Sequence, residues 1–341
     1  MRVIAVEGAT ERELRRLVYG QPGTPTLVEY HCSDAEALAV ADLVEEADDG
    51  AVDQNSSPLA GISLAARIPS RLTELALLVR SSPLIDALVI RGLPTGAISN
   101  IPTPAKHGDD RLLMGFELLA LAIATLTGNP MGYSTQQSGR VINDIVPIQE
   151  DATVANASSG YLETFDFHTE DAFMGMPPNF IQLACVRNPT DAPVVLSGLA
   201  PMDVDPDVMA ILRSPGFRVG VNPKQSGWSL AFPKDPRPVV EGSENRPRIR
   251  YNAADTAAVD GDAGGDALNS LRRVLSQNSV DLHLSDGDVA IIDNHRIAHS
   301  RSPYEPSFLG KDRWLLRIIS FKDTEALESL LDHRNPNILR P

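Results

Sequence analysis

Asp286-Gly-Asp-Val-Ala-Ile-Ile-Asp-Asn-His-Arg-Ile-Ala-His299 is the stretch on which the reading of this 341-residue chain turns. Asp286-Gly287-Asp288 is a hairpin turn signal between apolar segments. Val289 to Ile292 reads as a buried strand, and the chain then turns polar at Asp293-Asn294. Two imidazoles follow, His295 and His299, either of which can reach back over such a turn; spacing alone does not choose between them.

The same texture extends on both sides. Short β-branched or aromatic runs separated by turn residues occur at 86–92, 141–146, 165–168, 180–186, 194–199, 217–221, 228–232, 248–251, 280–284 and 314–321. Many short strands with turn signals predict a mainly β fold, a sandwich or jelly-roll barrel. Helical periodicity is concentrated in the first third, at Ala35 to Glu46 and at Leu64 to Leu78, with Pro69 marking a kink or break. Leu112 to Thr127 is the most apolar helix candidate, stopped by Gly128-Asn129-Pro130, and Ala267 to Leu275 is a later helix. Residues 233–247 and 255–266 read as loops. The economical organisation is one domain over 1–341, with a helical part at 1–85 packed on a β core at 86–322 that carries insertions.

Forty-five acidic against 30 basic residues give a formal charge of −15. Such a surface repels phosphate backbones and anionic lipid, so neither nucleic acid nor membrane is an expected partner. No apolar run approaches 18 residues and no signal peptide is evident in MRVIAVEGATERELRR. Cys32 and Cys185 read as reduced thiols, which makes the cytoplasm the default compartment.

Working outward from the two histidines, the segment Phe165-Asp-Phe-His-Thr-Glu170 supplies their complement. Residues two apart on an extended strand share a face, so His168 and Glu170 can converge on one point. One imidazole and one carboxylate so placed are two thirds of a 2-His-1-carboxylate facial triad, which leaves one face of an iron(II) ion open. Fourteen residues after His299 stands Arg313, and four further on Arg317, across one strand and able to face one pocket. A guanidinium clamps a dicarboxylate co-substrate in a bidentate way that lysine does not match.

The segments Arg91-Gly-Leu-Pro94, Phe167-His-Thr-Glu-Asp-Ala172, 178–187 (PNFIQLACVR), 287–294 (GDVAIIDN) and 310–314 (GKDRW) resemble the clavaminate synthase-like Fe(II)/2-oxoglutarate-dependent oxygenases, a group that includes the arginine β-hydroxylase of viomycin biosynthesis. The motifs stand in the family's order from about Arg91 to Lys322. The resemblance implies a double-stranded β-helix with flanking helices. It assigns iron to His168, Glu170 and His299, the distal carboxylate of 2-oxoglutarate to Arg313 with a hydroxyl near Ser197, and a structural place to His295. A carboxylate among the metal ligands argues against a halogenase, which must free that position.

For a free amino acid substrate the resemblance implies that Arg317 pairs with the α-carboxylate. Ser158 and Gln136 or Gln137 bind the head group, and Glu170 accepts from the α-ammonium. Asn252 and Ala254 stand where arginine-type relatives present two aspartates. An amide lacks the charge to offset a buried guanidinium, which points toward citrulline, whereas Asp255 would restore arginine or lysine binding. The expected activity is therefore hydroxylation at C3 or C4 of an arginine-like or citrulline-like L-amino acid, in specialised or antibiotic biosynthesis. Iron(II), 2-oxoglutarate and O2 are the expected cofactor and co-substrates, and residues 151–160 the expected lid. Asparagine, aspartate, lysine or a carrier-bound aminoacyl group are the alternative substrates. A zinc or manganese enzyme on the same ligands, or a silent jelly-roll binding protein, are the alternative classes.

Overall fold

A computed structural model describes residues 1–6, 23–50, 52–53, 57–82, 85–107, 111–155, 157–220, 235–259 and 261–340. In chain order the strands and helices are β1 (Arg2–Val6), β2 (Thr26–His31), α1 (Asp34–Asp49), α2 (Ser57–Ala65), α3 (Ser70–Ser81), β3 (Ala87–Arg91), α4 (Gly115–Thr127), β4 (Asn129–Tyr133), β5 (Asn143–Ile145) and β6 (Phe165–His168). They continue as β7 (Phe180–Arg187), β8 (Val194–Gly198), α5 (Pro206–Leu212), β9 (Phe217–Val219), β10 (Val240–Ser243), β11 (Arg246–Ile249), β12 (Thr256–Ala258), α6 (Asp262–Gln277), β13 (Val280–Leu282), β14 (Val289–Asp293), β15 (Ile297–Arg301), β16 (Trp314–Phe321), β17 (Leu331–Asp332) and β18 (Asn335–Leu339).

Two sheets face one another. The larger runs β1-β2-β3-β14-β7-β16-β4-β18-β17, with β5 also on β16; the smaller runs β13-β8-β15-β6. Strands inside a two-sheet stack bury both faces, which is why β7, β8 and β15 are buried at every residue. Leu183, Leu196, Ala290, Ile292, Ile297 and Leu315 fill the space between the sheets. The outer face of the larger sheet is covered by α1, α3 and α4; Phe116 to Ala124 of α4 are all buried, as a helix that is apolar all round requires. The outer face of the smaller sheet, with Phe167, Val195 and Ala298, packs on Leu271 and Leu275 of α6. This is the double-stranded β-helix that the motifs imply.

Several boundaries differ from the sequence reading. Residues 1–85 are not only helical: β1 and β2 run parallel and extend the larger sheet beside β3. Pro69 does break the helical run, standing between α2 and α3 at the start of the latter. The expected loop at 233–247 contains β10, which pairs with β11 across a tight turn at Glu244-Asn245. The stretch 255–266 likewise holds β12 and the start of α6. Strands β17 and β18 lie beyond the expected end of the core at residue 322. The strand expected at 228–232 lies outside the described residues. Among those described, no helix is long and apolar enough to cross a membrane.

Candidate active site

The pairing of β15 with β6 sets His299 directly opposite His168, with ring centroids 4.1 Å apart. The nearest ligand atoms of His168, Glu170 and His299 all lie within 4.8 Å of one another, and all three residues are buried. His168 Nδ1 lies 2.9 Å from the Asp166 carbonyl; a carbonyl only accepts, so Nδ1 carries the proton and Nε2 presents a lone pair. Phe165 stacks on the same ring at 4.1 Å and fixes its plane. His299 Nδ1 is buried with no hydrogen-bond partner. Burial pushes the His168 pKa down; for His299 burial first, then His168 and Arg317, push it well down. Two neutral imidazoles and one carboxylate converging in a buried pocket are a donor set that a divalent metal ion fits.

Glu170 is not held by strand geometry, since β6 ends at His168. Its main chain is gripped instead by Asn294, whose Oδ1 accepts from Glu170 N at 2.6 Å. Asn294 Nδ2 donates to the carbonyls of Glu170 (3.0 Å) and Pro178 (2.9 Å). The polar turn after β14 thus supplies a clamp on the carboxylate residue as well as the route to His299.

A cavity of about 500 Å³ opens on the triad, lined among others by Gln136, Gln137, Ser158, Asn252, Asp255, Arg301, Arg313 and Arg317. Arg313 is buried, its Nε has no hydrogen-bond partner, and its guanidinium lies 5.5 Å from the Tyr304 ring. Among the described residues no carboxylate forms an ion pair with it. A buried cation in that state is costly, and an anionic ligand in the cavity would relieve it. Ser197 gives no help there: it faces the opposite side of β8, and its hydroxyl donates to Leu275 O of α6 at 2.7 Å. It sits opposite Ala298, one residue out of phase with the inward-facing His299. Val194, opposite Arg301, is the β8 residue that lines the cavity.

Arg317 donates to Glu170 Oε1 at 2.5 Å, to Gln136 Oε1 at 2.6 Å and to Asn143 Oδ1 at 2.7 Å. The two glutamines therefore separate. Gln137 spends its amide on the backbone of Asp144, accepting from Asp144 N and donating to Asp144 O. Asn252 Nδ2 donates to Asp255 Oδ2 at 3.0 Å, and its Oδ1 accepts from Ala254 N, so amide and carboxylate form one unit at the cavity wall. Asn143 and Arg301 were not singled out in the sequence. Arg301 carried a signal, since it stands two residues after His299 on one strand and so shares its face.

His295 lies off the cavity. Its Nε2 is 3.2 Å from Asn179 Nδ2, which fits an acceptor on a neutral ring. Burial, then Arg248, Lys322 and Arg250, push its pKa down to about 4. The unfolded chain, with a histidine pKa near ~6.5, binds the proton first, so stability present above that pH is lost as pH falls toward 4. Asp293, pushed up to about 6 by burial and Asp86, acts in the opposite sense over an overlapping range, from about 6 down to its unfolded value of ~3.9. Comparing wild type with His295→Phe isolates the histidine. The variant's unfolding free energy should fall by about 2 kcal/mol less between pH ~6.5 and ~4.5. Parallel urea-denaturation profiles would remove His295 from the acid response.

Convergence of a His-x-Glu pair and a distant histidine inside a double-stranded β-helix, with a buried guanidinium across the cavity, defines the class of non-haem iron oxygenases. The profile of the taurine catabolism dioxygenase TauD, TfdA family matches residues 224–319. Clavaminate synthase 2 of Streptomyces clavuligerus is 30% identical over 271 residues, covering 75% of this chain and 80% of that protein. Enduracididine beta-hydroxylase of Streptomyces hygroscopicus is 28% identical over 287 residues, covering 76% and 83%. The crystal structure of the non-haem iron oxygenase OrfP with iron and α-ketoglutaric acid superposes with a TM-score of 0.83 at 26% identity, over 91% of this chain and 99% of that one. The chain belongs to the clavaminate synthase-like oxygenases of the TauD, TfdA family.

Proposed function

We propose that the protein hydroxylates C3 or C4 of a free L-amino acid with an arginine-like or citrulline-like side chain, using iron(II), 2-oxoglutarate and O2. The observation that carries this reading is the pair of arginines four residues apart, Arg313 just before β16 and Arg317 within it, which both line the cavity beside the triad. On this reading one guanidinium serves each of two carboxylates, that of the co-substrate and that of the amino acid.

Iron held by His168, Glu170 and His299 supplies oxygen activation coupled to decarboxylation of 2-oxoglutarate to succinate. The residues of the chain do the rest. Arg313 fixes the distal carboxylate of 2-oxoglutarate and so its orientation. Arg317, steadied by Gln136 and Asn143, takes the α-carboxylate, while Glu170 and Ser158 meet the α-amino end. Asn252 and Asp255 face the side-chain tail. Closure of the segment that carries Ser158 excludes water. Two free thiols, Cys32 and Cys185, fit a cytoplasmic setting.

The direct test supplies iron, 2-oxoglutarate and O2 with the twenty protein amino acids plus citrulline and ornithine, and reads product mass together with succinate release. Gain of one oxygen atom on an arginine-like member, matched by succinate, supports the proposal. Preference for asparagine, aspartate or lysine would reassign the tail pocket, and succinate release that no amino acid stimulates would sink the free amino acid reading. Asn252→Asp should raise the kcat/KM ratio of arginine over citrulline about tenfold, the low end for an added hydrogen bond to a charged group. An unchanged ratio would take Asn252 out of the tail pocket.

A further inference from the structure

Arg301 is a buried cation of the cavity wall with no counter-ion among the described residues. It lies on β15 two residues past His299, and its pairing there sets it opposite Val194. One Nη donates to the Gly160 carbonyl, the other to the Glu163 carbonyl at 2.8 Å, and the buried Nε has no hydrogen-bond partner. Both acceptors belong to the segment that carries Ser158 into the cavity. Around the guanidinium lie Phe165, 6.0 Å to its ring, and Tyr304, 5.8 Å to its ring. Tyr304 is shared with Arg313, whose ring distance is 5.5 Å, and the Tyr304 main-chain N–H donates to Tyr161 O of the same segment.

These contacts make one chain of cause. Two carbonyl dipoles and an aromatic face hold Arg301 in place, but no negative charge offsets its burial. Arg313, a second buried cation, stands close by. Burial first, and Arg313 among the further causes, push the Arg301 pKa down to about 10. Several turns of the segment close on the segment itself: Gly160 N donates to Ala157 O, and Tyr161 N and Leu162 N both donate to Ala152 O, while Ser159 O accepts from Ile148 N just before it. The Arg301 bridges tie it directly to the strand bearing a metal ligand, beside the ring contacts that Tyr161 makes with Tyr304 and Phe308.

We propose that Arg301 is a positioning residue that couples occupancy of the 2-oxoglutarate site to the seating of residues 151–163, so that the co-substrate prepares the amino acid site before the amino acid arrives. The inference rests on the reading of Arg313 as the co-substrate's anchor. A carboxylate at Arg313 supplies the negative charge that both guanidinium groups lack. It lowers the cost of keeping Arg301 stretched to Gly160 and Glu163, and the coupling is reciprocal: a seated segment tightens 2-oxoglutarate.

The test is amide hydrogen exchange of peptides spanning 151–163 in the full-length protein loaded anaerobically with iron(II), with and without 2-oxoglutarate. Calorimetry on the same samples follows 2-oxoglutarate binding. In wild type the co-substrate should slow exchange in this segment about tenfold, a coupling of ordinary size. In Arg301→Met that protection should vanish while 2-oxoglutarate still binds. Arg301→Lys, which keeps the charge but cannot span both carbonyls, should show the same loss and guards against misfolding of the methionine variant. Slowed exchange that persists in Arg301→Lys would overturn the coupling. So would exchange that is fast in both variants but does not respond to 2-oxoglutarate in wild type, since that marks a purely structural strut. If wild type binds no 2-oxoglutarate, the oxygenase reading fails first and the coupling with it.

Discussion

Replacing Arg313 by methionine is expected to weaken 2-oxoglutarate binding by about 2–5 kcal/mol, roughly thirtyfold to several thousandfold in Kd, and to stabilise the ligand-free protein at the same time. The two effects share one cause. Arg313 is buried, its Nε lacks a hydrogen-bond partner, and no described carboxylate pairs with it. Without an anion in the cavity the guanidinium's desolvation is met by the Tyr304 ring but by no carboxylate among the described residues, so an apolar side chain of similar length should raise the unfolding free energy by about 1–3 kcal/mol. With the co-substrate bound, the same group gains a bidentate ionic hydrogen-bond pair that methionine cannot make. Calorimetric titration with 2-oxoglutarate and thermal unfolding of the ligand-free protein check the two halves separately. A variant that loses both affinity and stability would show that Arg313 is a structural residue. A variant with unchanged affinity would remove it from the co-substrate site and leave Arg301 as the remaining buried cation of the cavity wall.

The site was legible in the sequence where it follows a strand's period of two, and illegible where it depends on which face a neighbouring strand presents. His168 and His299 come from β6 and β15, whose in-register pairing brings the rings together. Arg313, Leu315 and Arg317 alternate with residues turned away from the cavity and all three line it. Ser197 failed because one residue of phase sends a strand side chain to the opposite face, and the gap-dependent placement could not fix that phase. Gln136 and Gln137 stayed ambiguous for a similar reason. Gln137 takes φ of 41° and turns its amide onto the Asp144 backbone, leaving its neighbour to meet Arg317. In the fold, the helices with strong apolar runs were readable. The two parallel N-terminal strands were not, since their partner β3 lies some sixty residues from β2 and only tertiary pairing reveals them. Short elements such as β10 and β12 sit in stretches whose Pro, Gly and acidic residues signal loop more strongly than strand.

Asn294→Ala is expected to reduce metal affinity about 10- to 100-fold while leaving all three ligand side chains in the sequence. Glu170 lies beyond the end of β6, so no sheet hydrogen bond of β6 fixes its backbone; the Asn294 amide does, by accepting from its N–H and donating to its carbonyl. The same amide donates to Pro178 O, which ties the Glu170 turn to the start of β7. Truncation leaves these buried groups without partners, a loss of about 1–3 kcal/mol for each that water cannot reach. The carboxylate then samples positions away from the two imidazoles, and the ion must draw it back on binding. Arg317 bears on the effect too, since its bond to Glu170 Oε1 competes with a metal ion for the loosened carboxylate. The measurement pairs equilibrium iron(II) titration under anaerobic conditions with denaturant unfolding of the metal-free protein. If unfolding is destabilised and metal affinity stays at the wild-type value, Asn294 merely secures the turn, and Glu170 needs no clamp to meet His168 and His299.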